Sequence, residues 1–236
     1  SLNVAMQIID PELLRTQLAQ SVFYLHDQPP LFNLFLGVVL KVFPSSYESI
    51  FWGIYLIMGV AIPFLLYAMM TLLGVNRWIG AAMACLFTVS PSTLVYENTL
   101  FYTYPVAFML SVSGPLLYMF ISKKRTVYGA LFFLVIAAVM LTRGIYHWLW
   151  FLAVLAVVIG MSGRVMPRRR IMAAAAVPAL LVFALCFKNL VVFGEAKTAS
   201  GLWTWMSLMT SFRLPEEKRK KLVYEGELSP FSLYFH

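Results

Sequence analysis

The chain has 236 residues, of which 61% are hydrophobic and only 12% are charged. An ordinary soluble domain carries about 25% charged residues, whereas the mean hydropathy of this chain is +0.80. This composition excludes a soluble globular domain and a disordered chain, and it indicates that most of the chain lies in lipid. The net charge of +8 is therefore interpreted as a sign of membrane topology rather than of nucleic-acid binding.

Residues 1–49 form the first predicted region, an outer loop with juxtamembrane helices. It contains the sequence HDQPPLFN at 26–33, in which two prolines suit the start of a helix. The apolar stretch that follows, 31–43, would cover only about 20 Å as a helix. We expect this stretch to lie in the outer interface, and a short membrane span is the alternative.

Six longer apolar stretches follow, and each approaches the roughly 20 residues that a spanning helix needs. They are 50–73, 78–95, 102–122, 126–142, 145–162 and 171–191. The predicted fold is thus an all-α polytopic membrane protein of about six transmembrane helices plus the outer juxtamembrane helix. The transmembrane bundle covers 50–191, and 192–236 is an outer loop at the start of a further region.

Basic residues alternate from loop to loop and predict the orientation of the bundle. The loops after 50–73, 102–122 and 145–162 contain eight cations and no acid, namely Arg77, Lys123, Lys124, Arg125, Arg164, Arg168, Arg169 and Arg170. Cytoplasmic loops are enriched in Lys and Arg, so this face is predicted to be cytoplasmic. All ten acidic residues then lie on the outer side, which is where we expect the chemistry. The expected location is a bacterial plasma membrane.

Polar residues at the predicted outer helix ends are the candidates for a site. They are Asp10, Glu12 and His26 in the first loop, Glu97 and Tyr102 between two spans, Arg143 and His147 after 126–142, and Lys188 near the end of 171–191. Simpler interpretations stay open for each group. The carboxylates could be solvated or lie in an aromatic interfacial belt, and the cations could extend to lipid headgroups. No His, Cys and Asp set has the spacing of a zinc site.

The HDQPPLFN sequence resembles the H-x-P-P-L or K-P-P-L element of the GT-C glycosyltransferases, such as protein O-mannosyltransferases and lipid A aminoarabinose transferases. In that family the element lies in the first outer loop, after an acidic motif. A T-K-G or T-R-G follows later at a helix end, and Thr142-Arg143-Gly144 occupies that place here. The order of these features covers most of the chain, although each motif is short.

The resemblance implies a membrane glycosyltransferase with a polyprenyl- or dolichyl-phosphate sugar as its donor and an acceptor on the outer, periplasmic or lumenal, face. Asp10 best fits the acidic catalytic position, with Glu12 next, and Arg143 fits the cation of T-K-G. Some relatives carry Asp-Pro where this chain has Tyr104-Pro105, so Glu97 would have to substitute.

His26, Tyr102, His147 and Lys188, which the predicted topology also places at the outer helix ends, are expected to bind substrate. The family's acidic motif lies further before P-P-L than Asp10 does, so we expect part of a longer chain, with a base that could precede Ser1. Some relatives use a divalent metal and others do not, and the resemblance leaves a metal open.

Two other classes of function remain. A membrane transporter would place its ionisable groups near the middle of the bilayer, whereas a transferase of this kind would place them at the outer interface. A non-catalytic membrane scaffold would leave Asp10 and Glu97 pointing away from one another. The sequence identifies neither the sugar nor the acceptor.

Overall fold

The computed structural model of the chain describes residues 9–163, 165–201, 213–228 and 233. These residues form helices joined by loops and contain no β-strand. The helices are α1 (Pro11–Thr16), α2 (Leu18–Tyr24), α3 (Leu31–Val42), α4 (Tyr47–Leu72), α5 (Arg77–Thr88), α6 (Pro91–Glu97), α7 (Thr103–Lys123), α8 (Thr126–Thr142), α9 (Trp148–Ser162), α10 (Arg168–Phe193) and α11 (Glu216–Tyr224). This is the architecture of a helical membrane protein, as the sequence predicts.

The number of spans is smaller than predicted. All seven apolar stretches form helices, but α4, α7 and α10 are the three that are long and apolar enough to cross a membrane, among the residues described. A fourth span results if α5 and α6 are counted together. Helices α8 and α9 have 17 and 15 residues, and at 1.5 Å per residue α8 measures about 25 Å. The prediction of about six spans is therefore wrong.

The predicted stretch 78–95 is a broken helix. The helix direction changes by 58° between α5 and α6. Pro91 begins α6, and the Ser90 side chain accepts a hydrogen bond from the Thr93 backbone N–H at 3.3 Å. Proline lacks the N–H that would continue α5, so the chain ends one helix and starts another. The bend turns Glu97, the last residue of α6, toward α4.

The main helices pack in a row. Helix α4 contacts α5 and α7, and α8 contacts α7 and α10, with α9 beside α10 and α8. The largest fully buried side chains of the core that joins α7, α8 and α9 include Phe120, Phe133 and Phe151. Helices α1 to α3 pack together at one end of the helix bundle, measured along the helix axes, and α3 also contacts α4 and α8 there.

Helix α3 is the predicted juxtamembrane helix, and it has two distinct faces. Phe32, Leu36 and Leu40 are buried one turn apart, whereas Leu34 and Val38 are exposed. The buried face joins a cluster that includes residues of α1 and α4. At 12 residues, α3 is about 18 Å long, which is too short for an ordinary span. Its angle to the membrane stays a prediction.

The helix bundle has two ends along the helix axes, and these two ends carry different charges. At the basic end, Arg170 donates a hydrogen bond to the carbonyl oxygen of Lys124 at 2.8 Å, so the loops before α8 and α10 lie together. The cations of this end are Arg77, Lys123, Lys124, Arg125, Arg168, Arg169 and Arg170, while the predicted Arg164 lies outside the described residues. The opposite end carries the first loop, the start of α7 and the end of α8. That this opposite end faces outward stays a prediction.

Candidate functional site

A cavity of about 150 Å³ lies at the end of the helix bundle that is opposite to the basic end. Four separate segments form it: the loop before α3, the residue before α7, the end of α8, and the chain after α10. Its lining residues are Asp27, Gln28, Pro29, Tyr102, Thr142, Arg143, Gly144, Ile145, Ala199 and Gly201. We call it the Arg143 cavity. The two motifs on which the resemblance depends, HDQPP and Thr-Arg-Gly, thus meet in one place.

The chain after α10 holds the HDQPP loop in position. The backbone N–H of Ser200 donates to the carbonyl oxygen of His26 at 2.9 Å, and that of Gly201 donates to the carbonyl oxygen of Asp27 at 3.1 Å. His26 Nδ1 lies 2.8 Å from the Ser200 hydroxyl. The His26 ring also packs on Phe193, with 4.2 Å between centroids. His26, expected to bind substrate, thus supports the wall of the cavity and is not among its lining residues.

Asp27 is the acidic residue that lines the Arg143 cavity. Its side chain packs directly against Gly201, whose missing Cβ would collide with the Asp27 carboxylate. The Asp27 side chain is exposed, so the carboxylate can meet water or a ligand. Glycine at 201 is therefore needed for close approach rather than for flexibility.

Arg143 follows the last residue of α8, where its backbone N–H still bonds to the carbonyl oxygen of Val139 at 3.0 Å. Its guanidinium lies 5.5 Å from the centre of the Tyr102 ring, a cation–π contact. Tyr102 is itself packed edge-on against Phe32 of α3. No ion pair of the described residues includes Arg143, so its charge can serve an anionic ligand.

Asp10 and Glu12, the first two catalytic candidates, lie at the start of α1. The Asp10 carboxylate accepts a hydrogen bond from the Glu12 backbone N–H at 2.8 Å and so caps the helix. Both side chains are exposed, and neither lines the Arg143 cavity. A helix-capping role accounts for Asp10 without any chemistry.

Glu97, the third catalytic candidate, lies away from the Arg143 cavity. Its carboxylate contacts Gly59, near the middle of α4. The Tyr104 hydroxyl lies 3.3 Å from the position that a Gly59 Cβ would occupy. Tyr55, one turn earlier on α4, stacks on Tyr104 and donates a hydrogen bond to the Phe101 carbonyl oxygen at 2.8 Å. Glu97 and Tyr104 thus form a second polar site, deeper along α4.

Lys188 and His147, two substrate-binding candidates, have partners within the chain. The Lys188 ammonium donates to the carbonyl oxygens of Phe23 and Leu25 at 2.9 and 3.0 Å. His147 precedes α9 and accepts a hydrogen bond from the Leu149 backbone N–H at 3.4 Å. Burial and the positive charge of Lys197 lower the pKa of His147, which favours the neutral ring that can accept this bond.

Asp27 and Gly201 line the cavity but are not among the candidate residues that the sequence predicts. Asp27 stands inside the HDQPP motif, whereas the resemblance favours an acid that precedes that motif, such as Asp10. Gly201 lies 174 positions after Asp27, and no local pattern connects the two. The signal that could have found Asp27 is its position two residues before the first of the two prolines, Pro29.

The described residues contain no group of three or more His, Cys, Asp and Glu side chains that could hold a metal ion. Comparison with protein families, curated proteins and solved structures found no match. The comparisons therefore give no support to the resemblance to GT-C glycosyltransferases, which stays a prediction.

Proposed function

We propose that this chain is part of a membrane glycosyltransferase that takes a sugar from a polyprenyl-phosphate donor at the Arg143 cavity. The observation that carries the proposal is that Arg143, a cation, and Asp27, an acid, line one cavity at a helix end. A sugar phosphodiester already has a good leaving group. Such a reaction needs a base, correct placement of the acceptor, and stabilisation of the departing phosphate.

Arg143 is the group that would hold the phosphate. A guanidinium is planar and can donate two parallel hydrogen bonds to phosphate oxygens. Its contact with Tyr102 limits its freedom before the donor binds, which lowers the entropy lost on binding. Ile145, 56% exposed, lies on the cavity wall and offers an apolar surface to the adjoining part of the lipid chain.

Asp27 is the group that would act as the base, in place of Asp10, Glu12 or Glu97. Its carboxylate would accept the proton of the acceptor hydroxyl while the acceptor oxygen bonds to the anomeric carbon of the sugar. The bond from that carbon to the phosphate oxygen breaks, and the lipid phosphate leaves with the bonding electrons beside Arg143. Asp27 is preferred because it lines the same cavity as Arg143, whereas the other three acids do not.

A membrane transporter is the second candidate function, and the placement of Glu97 favours it. Gly59, which the Glu97 carboxylate contacts, is the thirteenth residue of the 26-residue helix α4. Carriers place ionisable groups at such depths, often on broken helices, and α5 and α6 form a broken helix. Glu97 would then bind the transported solute or a coupling ion.

The test of the transferase compares matched variants in binding and in transfer. Arg143→Ala should weaken the binding of polyprenyl phosphate, whereas Arg77→Ala, which removes an exposed cation at the basic end, should not. Asp27→Asn should lower transfer from a panel of polyprenyl-phosphate sugars by about a hundredfold or more, because the proton acceptor is lost. Donor binding by Asp27→Asn should survive, and Asp10→Asn should keep full transfer activity.

Two results would reject this assignment. Full transfer activity in Asp27→Asn would remove Asp27 as the base, and equal binding losses in Arg143→Ala and Arg77→Ala would remove the phosphate site. The same purified protein, placed in sealed vesicles, would test the second candidate. Solute uptake that Glu97→Gln abolishes and Asp27→Asn leaves unchanged would favour the transporter.

A further inference from the structure

The loops before α8 and α10 form a corner at the basic end. A hydrogen bond brings them together: Arg170 Nη1 donates to the Lys124 carbonyl oxygen at 2.8 Å, although the two residues are 46 positions apart in the sequence. Arg170 is partly buried in this contact. We call the two segments 123–125 and 167–170 the basic corner; they include the last residue of α7 and the first three residues of α10.

Five further cations of the basic corner are exposed: Lys123, Lys124, Arg125, Arg168 and Arg169. None of them takes part in an ion pair of the described residues. Like charges this close repel one another, and no acid in either loop offsets them. The corner therefore has an excess of positive charge that favours an anion from outside these segments.

The helix ends at the basic corner add to the same preference. Neither α8 nor α10 has an acidic residue in its first turn or a side-chain hydrogen bond that caps its start. The first backbone N–H groups of a helix carry partial positive charge and favour an anion. Here they adjoin the five exposed cations, so charge and backbone donors favour the same kind of ligand.

We propose that the basic corner binds the headgroup phosphate of an anionic phospholipid. A lipid, rather than a free anion, is inferred because exposed apolar residues continue from the corner along both helices. Val127 and Leu131 on α8 and Met172 on α10 are 56%, 43% and 50% exposed. A phospholipid places its phosphate on the cations and its acyl chains along these side chains. The site is independent of the proposed glycosyltransferase activity, since the Arg143 cavity lies at the other end of α8, about 25 Å away.

The experiment measures phosphatidylglycerol binding to the full purified chain in detergent micelles, with phosphatidylcholine as the zwitterionic comparison. Arg125→Gln and Arg169→Gln each remove one exposed charge of the corner, and each should weaken phosphatidylglycerol binding about fivefold. Arg77→Gln is the matched control. It removes one exposed charge of the same end, at the start of α5, and should leave binding unchanged. Arg169→Lys should retain most of the binding.

The outcomes are distinct. Selective binding of phosphatidylglycerol that depends on Arg125 and Arg169 but not on Arg77 supports the site. Equal losses in all three variants would overturn it, because charge spread over the whole basic end would then account for binding. A rise in the melting temperature with millimolar inorganic phosphate that equals the rise with phosphatidylglycerol would also overturn it, since the corner would then be a site for free anions. Unchanged melting temperatures of the variants without lipid verify that each is folded.

Discussion

Asp27 and Gly201 are in contact at one wall of the Arg143 cavity. The backbone N–H of Gly201 bonds to the Asp27 carbonyl oxygen at 3.1 Å, and the carboxylate lies where a side chain at 201 would begin. A single hydrogen atom in place of a methyl group therefore decides whether the carboxylate can keep its place in the wall of the Arg143 cavity. The chemistry that we propose for the cavity would thus depend on a residue that has no side chain of its own.

Gly201→Ala tests this contact. The added methyl group should displace the Asp27 carboxylate, lower the free energy of unfolding by about 1–3 kcal/mol, and reduce transfer activity more than donor binding. Thermal unfolding and the two functional assays measure these effects.

Gly53→Ala is the control for this substitution, because a Cβ at Gly53 would meet nothing within 4 Å. It should leave both activity and stability as they are, or raise stability slightly, since alanine is the better helix former. Normal transfer activity in Gly201→Ala would contradict the role that we give to this contact.

At this scale the sequence names part of the candidate site, and the substrate-binding roles of its residues stay predictions. Arg143 and Tyr102 line the cavity, as their positions at helix ends indicated. The choice of acid could not be made from the sequence, since Asp10, Asp27 and Glu97 all lie near helix ends. Only the approach of 199–201 to the HDQPP loop separates them, and such a long-range contact has no local pattern.

The side chain of Lys188 links α10 to the end of α2. Lys188 donates to two carbonyl oxygens just inside and just beyond the end of α2, those of Phe23 and Leu25. Its ammonium also lies over the rings of Phe23 and Phe193, at 5.8 and 5.4 Å from their centres. A cation at the end of a helix is favoured by the partial negative charge there. Lys188 thus positions the loop that follows α2.

Lys188→Met removes the ammonium and keeps an unbranched apolar side chain. Two carbonyl groups lose a charged donor, so we expect a loss of about 1.5–3 kcal/mol in the free energy of unfolding. The loop 25–30 should also become more sensitive to proteases. Lys41→Met, on the exposed end of α3, is the control and should change neither quantity. Equal melting temperatures for the two variants would show that Lys188 does not hold the loop.

The positions of the helices were predicted well, but the bend between α5 and α6 was not. Apolar length locates a helix because burial in lipid or core requires it. Within 78–95, however, the sequence Ser90-Pro91 was interpreted as part of a continuous span. Since Pro91 begins α6, Glu97 lies against Gly59 rather than beside Arg143.

At the scale of the whole molecule, cations and acids are concentrated at opposite ends of the helix bundle. The described cations of the loops around α5, α8 and α10 share the basic end, whereas Asp10, Glu12, Asp27 and Glu48 lie with α1 to α3 and the start of α4 at the opposite end. The positive-inside tendency predicts that the basic end is cytoplasmic.

Cysteine labelling in intact cells measures this orientation. In a chain with Cys85→Ser and Cys186→Ser, we expect Ser45→Cys to react with a membrane-impermeant maleimide. Ser122→Cys should react only after the membrane is permeabilised. Both serines are exposed, so access across the membrane is the variable that differs. The reverse pattern would invert the molecule and place the Arg143 cavity on the cytoplasmic side.

The Arg143 cavity is assembled from parts that the ribosome makes far apart in time. His26 and Ser200 are 174 positions apart, and at about 5–20 residues per second their synthesis is separated by roughly 10–35 s. During that interval the HDQPP loop has neither Ser200 and Gly201 nor Lys188 as partners. Each later helix thus enters the membrane while the first loop is still incomplete, and only the emergence of 199–201 closes the wall around Asp27.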